Sequence, residues 1–248
     1  MRALDAFVQR SVLHDPTRSA RMLRPGARHT YHTVQRAPTP DDLHAHLAGE
    51  IPIAVPLVGA AGLNYHVALD IAHGGLDALH RALAAVQTLG WTAYGVTSTN
   101  TEHSGGHVWM HLAQPAAPDR ARLLAEQIAA AANISTTGHD PDAETYPTHH
   151  SFRVPFGVHR WTKRRGQLLL QDGTSIDLDT GAAALRDAIA TVADLPRNPT
   201  AKLPHVPPPP RSTRGHQTRQ ERSQTTNNPL YDYTHATDLI TLLERYRG

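Results

Sequence analysis

The sequence predicts an α/β or α+β domain built on a mixed sheet with flanking helices and followed by a disordered tail. Short strand-like runs alternate with segments whose apolar residues recur at helical spacing. After Asp194 the composition changes to proline, arginine and polar residues, with almost nothing apolar to pack. We therefore expect a domain over residues 1–195, a Pro/Arg-rich disordered linker over 196–229 and a short C-terminal helix over 230–248.

Besides the helical segment that contains His44 and His46, three helices are predicted within the domain. The first covers residues 76–89 and ends at Gly90. Pro118 and Asp119 open the second, which runs to about residue 132, and residues 181–193 form the last. The apolar stripes are Leu76, Leu79, Leu83 and Val86 in the first helix and Leu123, Leu124 and Ile128 in the second.

Four strands complete the predicted sheet. They are residues 67–71, before the first helix, 93–97 and 107–112, between the first two helices, and 167–170.

Composition limits the function classes. The 248 residues include no cysteine, which excludes disulfides and zinc–thiolate sites. Apolar runs are short, as in 51–61, and the N-terminus has no signal-peptide hydrophobic region, so we expect a cytoplasmic protein with no membrane partner. The formal net charge is +2 and eighteen histidines can add to it, a balance that tolerates a polyanionic partner without requiring one.

The segment THHSFRVPFGVHRWT, residues 148–162, has the clearest chemistry. It places Arg153 and His159 on either side of a tight Pro-Phe-Gly turn, an arrangement suited to clamping phosphate. A basic cluster follows the turn, and it either tracks a nucleic-acid backbone electrostatically or forms a solvated hairpin tip. Its members are Arg160, Lys163, Arg164 and Arg165.

A second motif, HSGGHVW, occupies residues 103–109. Ser104, Gly105 and Gly106 precede His107, and glycines allow backbone N–H groups to approach an anion closely. This pattern favours a nucleotide-phosphate pocket, although a lone strand histidine is also common as a satisfied core residue. Trp109 shares a face with His107 by the strand period and is expected to pack in the core.

Together with VALDIAHGG at residues 67–75, these motifs resemble, in the family's order, the archaeo-eukaryotic primases or primase-polymerases over about residues 30–173. The resemblance implies template-directed nucleotidyl transfer with dNTPs or NTPs, in DNA replication or mobile-element maintenance, with Mg²⁺ or Mn²⁺. It assigns catalysis to Asp70, Glu144 and His107 and triphosphate binding to Arg153 and His159. The nucleotide pocket would also use Ser104, Gly105, Gly106 and His107.

The chain departs from the family at its metal-binding Asp-x-Asp. Asp70 fits the first position, but the second is Ala72, which cannot ligate a metal. Either a neighbouring group substitutes, or the site holds one ion, or none. Glu144 is the preferred further carboxylate because Tyr146 and the proline after it mark a strand edge, with Asp142 and Asp77 as alternatives. Glu144 and Asp142 could also simply lie on a loop rich in Asp and Pro.

The implied partners are single-stranded DNA or a primer–template, and a dNTP or NTP. Residues 237–246 resemble the opening helix of zinc-binding primase modules, which suggests a helicase or zinc-binding primase partner.

Ala72 supports a competing hypothesis, a catalytically inactive nucleotide- or single-stranded-nucleic-acid-binding module of the same fold. A nicking endonuclease is a weaker alternative, because His44 and His46 have the spacing of a metal pair but lie in a predicted helix, where residues two apart do not face each other.

Overall fold

The computed structural model describes residues 20–23, 31–34, 36, 38–59, 61–99, 105–148, 150–159 and 162–205. Numbered in chain order, the strands of this part are β1 Ala20–Leu23, β2 Tyr31–Val34, β3 Ile53–Pro56, β4 Asn64–Ile71, β5 Tyr94–Thr97, β6 Gly106–Ala116, β7 Ala143–Tyr146, β8 Ser151–Arg153, β9 Gln167–Leu170 and β10 Ser175–Asp177. The α-helices are α1 Pro40–Ala48, α2 Gly75–Thr88, α3 Pro118–Ala131 and α4 Ala182–Asp194. Short 3₁₀ turns occupy Leu178–Thr180 and Thr200–Lys202.

Six strands form the larger sheet in the order β10-β9-β5-β6-β4-β7, and every neighbouring pair is antiparallel. Its inner part follows the chain order β4-α2-β5-β6-α3-β7, with β6 lying between β4 and β5. This is the split β-α-β arrangement of ferredoxin-like domains. The predicted α+β class is confirmed, and a fold of this kind does not by itself specify a function.

The helices begin and end close to the residues that the sequence predicts. Helix α2 buries Leu79, Leu83 and Val86, three of the four predicted stripe residues. Helix α3 has Pro118 in its first turn, where the missing N–H costs no hydrogen bond. Helix α1 begins with a capping box in which the Thr39 hydroxyl accepts from the Asp42 N–H at 3.2 Å.

The strand period of two divides the larger sheet into two chemically different faces. Along β4, Val67, Leu69 and Ile71 pack in one core cluster with α2 and α3. Ala68 belongs to a second cluster on the opposite face, and Asp70 alternates onto that face. One face of the larger sheet therefore packs under the helices, and the other carries the second apolar cluster together with polar groups such as Asp70.

The smaller sheet has the order β2-β1-β3-β8 and is also antiparallel. Phe152 of β8 packs edge-to-face against Trp109 of β6, with ring centroids 4.7 Å apart. Trp109 is 1 % exposed, which confirms its predicted packing role. This second cluster joins the smaller sheet to the face of the larger one that lies away from the helices.

The packed chain continues beyond residue 195, where the sequence placed the domain boundary. Leu203 is buried in the cluster beneath the helices, and the Arg120 guanidinium donates to its carbonyl at 2.7 Å. Asn198 is also buried, and its side-chain amide accepts from the Thr92 N–H at 2.7 Å. Residues 206–248, with most of the predicted linker and the whole predicted C-terminal helix, lie outside the described residues.

None of the helices in the described ranges has the length and apolar character that crossing a membrane requires.

Candidate functional site

Three of the predicted site residues lie in one row across the larger sheet. Asp70 of β4 is directly opposite His107 of β6 on one side and directly opposite Glu144 of β7 on the other. All three occupy strand positions that alternate away from the helices. The structure therefore brings together two carboxylates and an imidazole that are up to 74 positions apart in the chain.

Asp70 has an unusual ionisation. Burial, and secondly the charge of Glu144, raise its pKa to about 6, while Arg153 acts in the opposite direction. Its side chain is nevertheless 42 % exposed, so water reaches the carboxylate. A partly accessible carboxylate with a raised pKa beside a second acid makes this row a candidate functional site.

His107 lies against Asp70, with Nε2 3.5 Å from Oδ1. Burial, followed by the charge of Arg153, lowers the pKa of His107 to about 3, so the ring is neutral at pH 7. Its ring packs on Phe152 with centroids 4.7 Å apart. The His107 ring is therefore uncharged at neutral pH and places a ring nitrogen close to the Asp70 carboxylate.

Glu144 is oriented by a residue whose role the sequence did not predict. The Tyr146 hydroxyl donates to Oε2 of Glu144 at 2.9 Å, two positions along the same strand face. Tyr146 is held in turn by Phe152, with ring centroids 4.5 Å apart. The sequence pattern that could have predicted this contact is the strand period of two, because it places residues 144 and 146 on the same face. β7 ends at Tyr146, where the sequence predicts the edge of this strand, and it is the outermost strand on its side of the larger sheet.

Arg153 ends β8 and turns back over the following residues. Its Nη2 donates to the carbonyl oxygens of Gly157 at 3.2 Å and Val158 at 3.0 Å. The turn between them is tight, with Phe156 at a positive φ of 69°. Arg153 also perturbs the pKa values of both Asp70 and His107, so its charge lies near the row.

His159 lies beyond this turn. Its Nδ1 is 3.2 Å from the Thr162 hydroxyl, and its backbone N–H donates to the Arg164 carbonyl at 2.8 Å. These contacts tie His159 to Thr162 and Arg164, which follow it in the chain.

A small cleft adjoins the row. Arg153 and His107 both line it, together with the turn after β8 and the end of β5. Its lining residues are Val96, Thr97, Ser98, His107, Arg153, Val154, Pro155, Phe156, Gly157, Gly166 and Leu178.

Gly105 and Gly106 have a packing reason to be glycine. A Cβ at Gly105 would lie 2.1 Å from the Ile71 carbonyl oxygen, and one at Gly106 would lie 2.5 Å from the Val96 carbonyl oxygen. The absence of side chains lets β6 begin close against its neighbours and brings His107 into line with Asp70. Ser104, the other predicted phosphate-binding residue of this motif, lies outside the described residues.

The predicted basic cluster divides in two. Arg164 and Arg165 are both tied to Asp179, through an ion pair of 3.4 Å and a backbone N–H bond of 2.8 Å respectively. The Arg165 guanidinium also donates to the Leu47 carbonyl. Lys163 is exposed, and Arg160 lies outside the described residues.

The carboxylate pair fits one divalent ion. Mg²⁺ in proteins is commonly held by one or two carboxylates with water and substrate phosphates. Asp70 and Glu144 are such a pair, and a cation would offset the charge of Glu144, which after burial is the second cause of the raised pKa of Asp70. Within the described ranges, no group of three or more carboxylate, imidazole or thiol side chains could hold a metal ion by itself.

The other carboxylates considered from the sequence are engaged elsewhere. Asp77 pairs with Arg81 at 3.4 Å on the surface of α2, and Asp142 accepts from the Ser135 N–H at 3.1 Å. Ala72 is exposed and lies just past the end of β4. Of these candidates, Glu144 is therefore the one that the sheet register pairs with Asp70.

No protein-family model and no curated protein matches the chain.

Proposed function

We propose that this domain binds a nucleoside triphosphate at the row Asp70, His107 and Glu144 and transfers nucleotides to a growing strand, as a primase-polymerase of the archaeo-eukaryotic type. The observation that carries the proposal is the direct cross-strand pairing of Asp70 with Glu144, near the charge of Arg153. The substrates are a dNTP or NTP and single-stranded DNA or a primer–template.

The reaction joins the 3′-hydroxyl oxygen of a primer to the α-phosphorus of the nucleotide, and pyrophosphate leaves. Arg153 is the group suited to bind phosphate oxygens, because a guanidinium presents several N–H donors in a rigid fork. His107, neutral at pH 7, adds a hydrogen bond without a charge, and Tyr146 orients Glu144. A divalent ion held by Asp70 and Glu144 would neutralise the triphosphate and favour ionisation of the 3′-hydroxyl.

A second candidate function is a catalytically inactive nucleotide- or single-stranded-nucleic-acid-binding module. Ala72 favours it, because the family's second carboxylate is missing and, among the residues that the structure describes, Glu144 is the one acid paired with Asp70 across the strands. Such a module would keep the phosphate site and lose the transfer reaction.

The nicking-endonuclease hypothesis has no support in the geometry. His44 is exposed on α1, whereas His46 is buried with both ring nitrogens directed at backbone groups. These two residues cannot form the metal pair that such an enzyme needs.

Primer extension with a labelled nucleotide separates the two candidate functions. With Mg²⁺ or Mn²⁺, the wild-type protein should extend a primer and Asp70→Asn should not. Asp77→Asn is the matched control, since Asp77 is an exposed carboxylate that pairs with Arg81. Ala72→Asp should then change the activity only modestly.

Two results would contradict the proposal. Extension that survives in Asp70→Asn would remove Asp70 from the reaction. A wild-type protein that binds nucleotide but never extends a primer would support the binding module, and gain of synthesis in Ala72→Asp would identify the missing oxygen ligand as the cause.

A further inference from the structure

His46, the buried member of the rejected metal pair, connects α1 to the turn that carries Arg153. It lies in the last turn of α1 and is 1 % exposed. Its Nδ1 is 3.1 Å from the backbone N–H of Ile53 in β3, and its Nε2 is 3.0 Å from the Val154 carbonyl oxygen. One side chain therefore joins a helix, a strand and a turn.

These two contacts define the protonation state of the ring. The Ile53 N–H can only donate, so Nδ1 must be the unprotonated acceptor. The single ring proton then resides on Nε2 and is donated to the Val154 carbonyl. Nδ1 also lies 3.3 Å from the Ile51 carbonyl oxygen, which is a longer contact than the one with the Ile53 N–H. A proton on Nδ1 would crowd the Ile53 N–H, and burial and then Arg153 lower the pKa of His46 to about 4, so the ring carries a single proton at neutral pH.

The same end of α1 also packs tightly on the turn. A Cβ at Gly157 would lie 2.3 Å from Cε1 of His46, and a Cβ at Gly49 would lie 2.6 Å from Cγ2 of Val158. Gly157 and Val158 are the residues whose carbonyl oxygens accept from the Arg153 guanidinium. The groups that orient Arg153 are thus themselves positioned by His46 and Gly49.

We propose that His46 is a positioning residue for the phosphate site, fixing the turn at residues 154–158 so that the Arg153 guanidinium is directed toward the polyphosphate of the nucleotide. The inference rests on the proposed function, because it assigns Arg153 to a polyphosphate. It adds a residue from a different element of the fold, 107 positions away in the chain from Arg153.

Two conservative variants separate the two hydrogen bonds. In His46→Asn the amide oxygen can still accept from the Ile53 N–H, but nothing reaches the Val154 carbonyl. In His46→Gln the longer side chain can place its amide N–H near that carbonyl. Leu43→Ala is the control, since Leu43 is also buried on α1 and makes no hydrogen bond to the turn.

Calorimetric titration with inorganic triphosphate, well below each protein's Tm, measures the effect. His46→Asn should weaken binding about tenfold, as expected when a binding group is misplaced by a fraction of an ångström to an ångström. His46→Gln should recover most of the affinity, and Leu43→Ala should bind like the wild type.

A double-mutant cycle tests whether His46 affects binding through Arg153. In an Arg153→Ala background, His46→Asn should change the affinity less than about twofold, because residues that act through one another are not additive. Full additivity, or an equal loss in Leu43→Ala, would overturn the positioning role in favour of general loosening.

The outcome also separates this inference from the proposed function. Wild-type protein that fails to bind triphosphate contradicts the phosphate site itself. Wild-type protein that binds, with unchanged affinity in His46→Asn, contradicts only the role of His46.

Discussion

Asp70 and Glu144 are directly opposite each other on neighbouring antiparallel strands, so two carboxylates face the same side of the sheet. Like charges in such positions repel each other, and the pKa of Asp70 is raised to about 6, by burial first and by Glu144 second. The fold therefore maintains a locally unfavourable pair, which is expected where function opposes stability.

Removing the charge of Asp70 should stabilise the protein. The folded state holds a proton on Asp70 between about pH 4 and 6 that the unfolded chain releases, so ionised Asp70 lowers stability as the pH rises through 6. Asp70→Asn should raise the free energy of unfolding at pH 7 by roughly half a kcal/mol, a small value because the exposed side chain is screened by water. At pH 4.5 the difference in the free energy of unfolding between Asp70→Asn and the wild type should be smaller.

Urea unfolding of both proteins at the two pH values measures this difference. Asp77→Asn serves as the control, because its carboxylate is exposed in an ion pair. A loss of stability in Asp70→Asn at pH 7 would show that the ionised carboxylate is stabilising in the folded protein.

Arg153→Ala should weaken nucleotide binding by roughly 1.5–3 kcal/mol, the usual contribution of a charge-assisted hydrogen bond. The nucleotide affinity of Arg153→Lys should lie between those of the wild type and Arg153→Ala, because lysine keeps the charge and loses the forked geometry. Titration with a nucleoside triphosphate gives the affinities. Arg81→Ala removes the same charge from the surface of α2, and equal affinities in this control and in Arg153→Ala would contradict the assignment.

Tyr146→Phe should reduce the rate of nucleotide transfer roughly 10-fold or more, as for other residues that orient a metal-binding carboxylate. The hydroxyl is the donor to Glu144, and the ring contact with Phe152 is kept in the variant. Its stability should fall by only about 1 kcal/mol, the net value of one hydrogen bond. Primer extension and thermal unfolding, measured together, distinguish lost orientation from lost folding.

Two truncations locate the end of the packed domain. Deleting residues 206–248 should leave the Tm nearly unchanged. Deleting residues 197–248 removes the buried Leu203 and the hydrogen bonds of Asn198. The free energy of unfolding should therefore fall by at least about 3 kcal/mol. Equal stabilities of the two proteins would show that residues 197–205 contribute nothing to the fold.

Local patterns in the sequence predicted much of the fold. Helical spacing located α2 and α3, the strand period placed Trp109 on the face of His107, and the tyrosine–proline pair marked the end of β7. Each of these depends on neighbouring residues only. The three- and four-residue strands of the smaller sheet were not predicted, because they lie outside the alternation of helices and strands from which the equally short β5 was inferred.

The parts that escaped prediction depend on long-range pairing. His46 contacts a carbonyl 108 positions away, and the Asp70–Glu144 register depends on how β7 aligns beside β4. Asn198 and Leu203 follow prolines in a polar segment, and only their contacts with the domain show that they are buried. The glycines before His107 have a close-packing role that no spacing rule indicates.

The most direct test of the central claim, that Asp70 and Glu144 form a cation-binding pair, is the pKa of the Asp70 carboxyl, measured by NMR with and without Mg²⁺. Without the ion it should titrate near 6, and in Glu144→Gln it should titrate lower, because one cause of the shift is removed. Saturating Mg²⁺ should lower it in the wild type, since a bound cation stabilises the charged form. An Asp70 pKa that does not respond to Mg²⁺ or Mn²⁺ in the presence of nucleotide would contradict the claim.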